Sequence, residues 1–157
     1  MSGRDWALLV HLLGVIALFS GMSIAWVLHA AARRHERPSQ VALLLGLTRI
    51  GVLLVAVGGV LVLVGGFWLI EESHSFYSLG DGWIAAGLVL LVAAFVLGGL
   101  GGQRPKRARL LAEQLAREGD APSDELHRLL DDSRAAVLNY AAAGAIFVAF
   151  VLMIWRP

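Results

Sequence analysis

Hydrophobic residues occur in this chain in four long runs, and charged residues are concentrated between the runs. The runs cover residues 6–32, 41–70, 83–102 and 135–155. A helix needs about 20 mostly apolar residues to cross a hydrocarbon core about 30 Å thick. The pattern therefore predicts an all-α, multi-pass membrane protein in which four transmembrane helices form a single domain over residues 1–157.

The composition favours the same environment. The chain is 58% hydrophobic and 16% charged, whereas soluble domains carry about 25% charged residues. So few charges could not cover the surface of a soluble fold, and the lipid bilayer is the expected partner of the helices. The absence of cysteine excludes disulfide and thiolate chemistry. No catalytic motif or nucleotide-binding loop occurs, so the sequence leaves open whether the protein is an enzyme.

The charges between the runs predict an orientation. Lys and Arg are concentrated in the first and third connections, at Arg33, Arg34, Arg37, Arg104, Lys106, Arg107 and Arg109. The second connection contains acidic residues and neither Lys nor Arg. Because short basic loops stay in the cytoplasm, we expect an antiparallel bundle with both termini outside a bacterial cytoplasmic membrane. Four tryptophans then fall at the outer boundary, namely Trp6, Trp68, Trp83 and Trp155.

The connection at 103–134 is long enough to contain helices of its own. Over 105–118, Leu110, Leu111 and Leu115 share one side of a helix and basic residues surround them, which predicts a short amphipathic helix that lies on the inner leaflet. Ser123 or Asp124 is expected to cap a further helix, which then continues without a break to Trp155. Acidic residues are interleaved throughout the loop, so nucleic acid is not an expected partner.

His11 is the most prominent polar residue within the predicted spans. Ionisable groups at membrane depth are costly, and they indicate a functional site by default. Gly14 lies one turn further along the same face, and its small size leaves room for a flat cofactor or for a neighbouring helix. His11 therefore fits two interpretations: a ligand of a haem or metal, or a neutral residue hydrogen-bonded within the bundle.

Three further residues are candidates for the same site. Met153 lies near the outer end of the fourth run, and His74 lies in the outer loop just beyond the second run, both at a depth compatible with that of His11. A histidine with a methionine, or two histidines, are ordinary axial pairs for haem iron. Arg49 lies near the inner boundary, where it either snorkels to the lipid headgroups or binds an anionic group such as a haem propionate.

A family resemblance extends over the whole chain. It rests on His11-Leu12-Leu13-Gly14, Gly65-Gly66-Phe67-Trp68-Leu69, Tyr77-Ser78-Leu79-Gly80-Asp81-Gly82-Trp83 and Leu152-Met153-Ile154-Trp155-Arg156-Pro157. With these segments the chain resembles a bacterial family of predicted integral membrane proteins. That family is similar to copper-resistance-D-like proteins, the membrane domain of bacterial urate oxidases and four-helix protoporphyrinogen oxidases. The resemblance implies a first-span histidine that binds haem or a metal, and His11 occupies the matching position.

These observations lead to one main hypothesis and its alternatives. The main hypothesis is a small redox or haem-handling membrane protein that binds haem b, or a metal, through His11. The residues before it, Leu8 to Val10, lack the charges that the resemblance implies for porphyrin oxidation, so cofactor binding is the expectation. The alternative is a cofactor-free accessory subunit, as a homodimer or within a larger membrane complex. A transporter is disfavoured because the spans contain few polar residues.

Overall fold

The computed structural model describes residues 2–72 and 81–155, and every regular element in this part of the chain is a helix. In chain order the helices are α1 (Gly3–Ala32), α2 (Pro38–Glu72), α3 (Gly82–Gly101), α4 (Gln103–Arg117), α5 (Asp124–Leu130) and α6 (Ser133–Trp155). Four helical stretches are long and apolar enough to cross a membrane: α1, α2, α3 with α4, and α5 with α6. The prediction of four membrane-spanning stretches is confirmed.

Glycines bring α1 and α2 into direct backbone contact. A Cβ on Gly14 would lie 2.6 Å from the backbone nitrogen of Val62, and a Cβ on Gly58 would lie 2.7 Å from the carbonyl oxygen of Gly14. Gly21 and Gly51 face each other in the same way, seven residues later in α1 and seven residues earlier in α2. No side chain fits at these distances, so glycine sets the spacing of the pair, as in other membrane helices that pack through small residues.

The middle of the molecule is a hydrophobic cluster to which all four long helices contribute. Its buried members are Leu18, Val62, Leu91, Ala94, Ala142 and Ile146. The ring of Phe95 on α3 packs directly against Gly59 on α2. Phe19 of α1 and Phe150 of α6 make an edge-to-face contact with their ring centroids 5.7 Å apart. These contacts hold the pair formed by α1 and α2 against α3 and α6.

A second cluster joins α4 and α5 to the end of α1 and the beginning of α2. We call it the platform, and its buried members are Ala32, Val41, Leu45, Ala108, Ala112, Leu126 and Leu130. The helix expected over 105–118 is present as α4, and a single residue, Gly102, separates it from α3. Ala108 and Ala112 are buried in the platform, and Leu111 and Leu115 pack against it, whereas Leu110 is exposed. The position of α4 on the inner leaflet stays a prediction.

The helix that was expected to run unbroken from 124 to Trp155 is interrupted at Asp131 and Asp132. The Asp132 carboxylate accepts a hydrogen bond from the backbone N–H of Arg134 at 2.9 Å, and this bond begins α6. Both aspartates also make ion pairs with arginines near the ends of other helices, at Arg33 and Arg104. The interruption allows α5 to join the platform with Leu126 and Leu130 buried. Ser123 is the residue that caps α5.

Asp120 connects the end of α4 to the beginning of α2. Asp120 and the preceding Gly119 both have positive φ. The N–H of Asp120 donates to the carbonyl of Leu115 at 3.0 Å, as in a Schellman motif. Its carboxylate accepts hydrogen bonds from the backbone N–H and the hydroxyl of Ser39, both at 2.7 Å. These bonds from Ser39 hold the pKa of the Asp120 carboxyl below its usual value. A residue remote in sequence thus caps α2.

Candidate functional site

An apolar cavity of about 340 Å³ lies between the α1–α2 pair and helices α3 and α6. We call it the terminal cavity, because the beginnings of α1 and α3 and the ends of α2 and α6 line it. Its walls include Leu8, His11, Val15, Leu63, Phe67, Ile84, Leu88, Phe150 and Met153. The volume is within the range of small-molecule sites, and the cavity is partly open to its surroundings.

The imidazole of His11 is a polar group in the cavity wall, and its hydrogen bond shows which ring nitrogen could bind a ligand. Its Nδ1 lies 2.9 Å from the carbonyl oxygen of Val62 on α2. Because a carbonyl oxygen only accepts hydrogen bonds, Nδ1 carries the proton, and the neutral ring then has a lone pair at Nε2. Within the described residues Nε2 makes no hydrogen bond. The lone pair is therefore available to a ligand in the cavity.

Two consecutive glycines of α2 make this position of the imidazole possible. A Cβ on Gly65 would lie 2.6 Å from the backbone nitrogen of His11, so a side chain there would separate the helices. A Cβ on Gly66 would lie 3.4 Å from Nδ1, which is at the limit of ordinary contact. The pair thus lets α1 approach closely enough for the bond between His11 and Val62 to form. This bond fixes the plane and the tautomer of the ring.

The structure brings together two of the residues predicted for the site. His11 and Met153 both line the terminal cavity, from α1 and α6. Gly14 does not line it, because the backbone of α2 fills the space beside that glycine. Arg49 lies 16 residues before Gly65, about 24 Å away along α2, and its side chain is exposed. His74 lies outside the described residues.

Arg4 also lines the terminal cavity, although it was not among the predicted site residues. The sequence shows that Arg4 shares a face of the helix with His11, because it precedes His11 by seven residues, but it does not show what that face contacts. Trp83 also lines the cavity, from the first turn of α3. Neither assignment follows from the sequence alone, since each depends on how α3 and α6 pack against α1.

The described residues contain no group of three His, Asp or Glu side chains that could hold a metal ion. His29, the other histidine of α1, lies 18 residues after His11, about 27 Å along the helix. It packs beside the backbone of Leu130 at the end of α5. The two histidines therefore belong to separate environments, and only His11 lines the terminal cavity.

Residues 6–157 match the family described as "Predicted integral membrane protein (DUF2269)". The chain belongs to this family. The match includes the site at His11 and all four membrane-spanning stretches, and it confirms the resemblance to predicted integral membrane proteins. No curated protein and no solved structure matches the chain. The wider relation of the family to copper-resistance-D-like proteins and protoporphyrinogen oxidases stays a prediction.

Proposed function

We propose that this member of the family is a small haem-binding membrane protein, with the terminal cavity as the haem site and His11 as an axial ligand. One observation carries the proposal. The Nδ1–H of His11 is bonded to a backbone carbonyl, which leaves Nε2 free on the wall of an apolar cavity. Histidine ligands of metals commonly have this arrangement, because the second hydrogen bond orients the ring and makes the ligating nitrogen more basic.

Met153 is the candidate for the second axial ligand. Its thioether lines the same cavity from the opposite helix pair, and a methionine paired with histidine raises the reduction potential of haem iron. A methionine at this depth also contributes to packing, since a thioether fills irregular gaps readily. A haem needs only one or two side-chain ligands, so this pair would suffice where a metal ion held by protein alone would need more.

The proposal also includes an orientation of the molecule. Gly14 faces Gly58 and Gly21 faces Gly51, so the order of contacts along α1 is the reverse of the order along α2. This order supports the antiparallel arrangement that short connections imply. The basic residues near the platform support a cytoplasmic position for that end. The terminal cavity then faces the outer half of a bacterial cytoplasmic membrane.

Absorption spectra of the purified protein test the assignment of His11. We expect wild-type protein from cells supplied with a haem precursor to show a Soret band and sharp reduced bands, with haem b identified as its pyridine haemochrome. His11→Ala should lose most of this absorbance, because the cavity then lacks its iron ligand. The matched control is His29→Ala, which removes the other imidazole of α1 and should leave the spectrum unchanged.

Two results would contradict the proposal. One is a wild-type protein that stays colourless although the cells were supplied with haem precursor. The other is a His11→Ala variant that keeps the full haem spectrum. A Met153→Leu variant tests the second ligand. The reduction potential of the haem should fall if Met153 is a ligand, and it should stay unchanged if Met153 contributes only to packing.

A further inference from the structure

Among the residues that the structure describes, Arg4 is the cationic side chain that lines the terminal cavity. It lies seven residues before His11 on the same face of α1, about 10 Å closer to the N-terminus of the helix. The side chain is exposed, and within residues 2–72 and 81–155 it makes no salt bridge with Asp or Glu. The cavity therefore has an apolar interior, an imidazole nitrogen part-way along it and a guanidinium group near its end.

We infer that Arg4 binds an acidic group of the ligand that His11 holds, and that this group is a propionate of haem. The inference rests on the proposed function and adds the orientation of the cofactor. Haem has an apolar edge and an edge with two carboxylates, and the iron lies between them. An orientation with the propionates towards Arg4 leaves the apolar edge among the leucine and phenylalanine side chains of the wall.

Arg4 replaces Arg49 in this role because of its position. Arg49 lies about 24 Å from Gly65 along α2, so it cannot contact a group bound at His11. An arginine makes paired, charge-assisted hydrogen bonds with a carboxylate, and these are stronger than bonds between neutral groups. Apolar walls around the pair strengthen the attraction, because the local dielectric constant is lower than that of water.

The test compares haem with its dimethyl ester, in which both carboxylates are blocked. Each compound is titrated into apo-protein in detergent, for wild type, Arg4→Gln and the matched control Arg49→Gln. Wild type should bind haem about tenfold or more tightly than the ester, which is the effect of one hydrogen bond to a charged group. Arg4→Gln should bind the two compounds equally, while Arg49→Gln should keep the wild-type preference. Arg4→Lys should recover part of the preference, because lysine retains the charge without the paired geometry.

The outcomes separate this inference from the proposed function. If wild type and Arg4→Gln bind haem and its ester with the same ratio of affinities, haem is a ligand but Arg4 is not its anion contact. If neither compound binds, the proposed function fails. A parallel titration with palmitate and methyl palmitate then decides the role of Arg4. If wild type prefers palmitate over its methyl ester and Arg4→Gln does not, Arg4 contacts the carboxylate of an apolar ligand other than haem. If wild type shows no preference, the inference is overturned.

Discussion

Gly58 lies where the backbones of α1 and α2 are in contact, and its lack of a side chain allows this close approach. A Cβ at this position would lie 2.7 Å from the backbone nitrogen of Leu18 as well as from the Gly14 carbonyl. Both atoms belong to helix backbone, so neither moves without displacing the whole of α1. The same helix contains Gly46, and a Cβ there would meet no atom within 4 Å.

These two glycines provide a matched pair of substitutions. Gly58→Ala should reduce the free energy of unfolding in detergent by about 1–3 kcal/mol, because the added methyl group overpacks the interface. Gly46→Ala should be neutral or stabilise by up to about 1 kcal/mol, because alanine has the higher helix propensity. Thermal or denaturant unfolding followed by circular dichroism measures both. Equal effects of the two substitutions would show that the close contact does not limit stability.

Among the elements, the platform is where polar bonds between distant segments are concentrated. Asp120 accepts two hydrogen bonds from Ser39, and Arg33 pairs with Asp131 at 2.6 Å. The first of these caps a helix whose own preceding residues are Glu36 and Arg37, which is not a capping sequence. A carboxylate at the beginning of α2 also interacts favourably with the helix dipole. The platform thus stabilises α2 at the end opposite the terminal cavity.

Asp120→Asn should lower the melting temperature in a pH-dependent way. Asparagine tolerates the positive φ of this position, so the substitution removes the charge with little backbone strain. The carboxyl has a folded-state pKa below its ordinary 3.8, so its contribution is complete above pH 3.8 and is lost as the pH falls through the lower, folded-state value. The difference in melting temperature between wild type and Asp120→Asn should therefore be present at neutral pH and disappear in acid.

Comparing the two proteins at each pH removes the effect of every other titrating group. Asp124→Asn is the control. This acidic residue is exposed and makes no ion pair with another helix within the described part of the chain, so its substitution should leave the melting temperature nearly unchanged. A difference between wild type and Asp120→Asn that persists undiminished well below pH 3.8 would assign the effect to backbone geometry instead of charge.

At the scale of the whole molecule, the two ends of the bundle differ. The platform fills one end with α4 and α5, while the terminal cavity remains open at the other. Trp6, Trp68 and Trp155 are exposed near the cavity end, as interfacial indoles are, and Trp155 is 79% exposed. The difference gives the proposed orientation a direct consequence, because reagents on the two sides of the membrane should reach different parts of the chain.

Single cysteines report this difference cleanly, since the natural sequence has none. In intact bacterial cells, Ser2→Cys should react with a membrane-impermeant maleimide, and Glu125→Cys should react only after the membrane is permeabilised. Both positions are exposed, so accessibility of the side chain is not limiting. Labelling of Glu125→Cys in intact cells, with protection of Ser2→Cys, would reverse the proposed orientation.

The parts of the fold that could be predicted are those that depend only on the local sequence. The length of an apolar run is such a property, so the four spanning stretches were evident from the sequence. The interruption at Asp132 was missed because it depends on competition: the carboxylate caps α6 while Leu126 and Leu130 are buried elsewhere. Within the site, His11 was recognisable as a polar residue in an apolar run. Arg4 was not, because its role depends on the approach of α3 and α6.

The bond between Asp120 and Ser39 spans 81 residues of the chain, and this separation orders events during synthesis. Translation proceeds from the N-terminus, so α1 and α2 are complete, with all their facing glycines, before Asp120 has been made. The two helices are therefore able to pair through these glycines before the rest of the chain has been made. The backbone N–H groups at the beginning of α2 receive their cap only when the second half of the chain emerges. Asp120 thus caps a helix that was synthesised well before it.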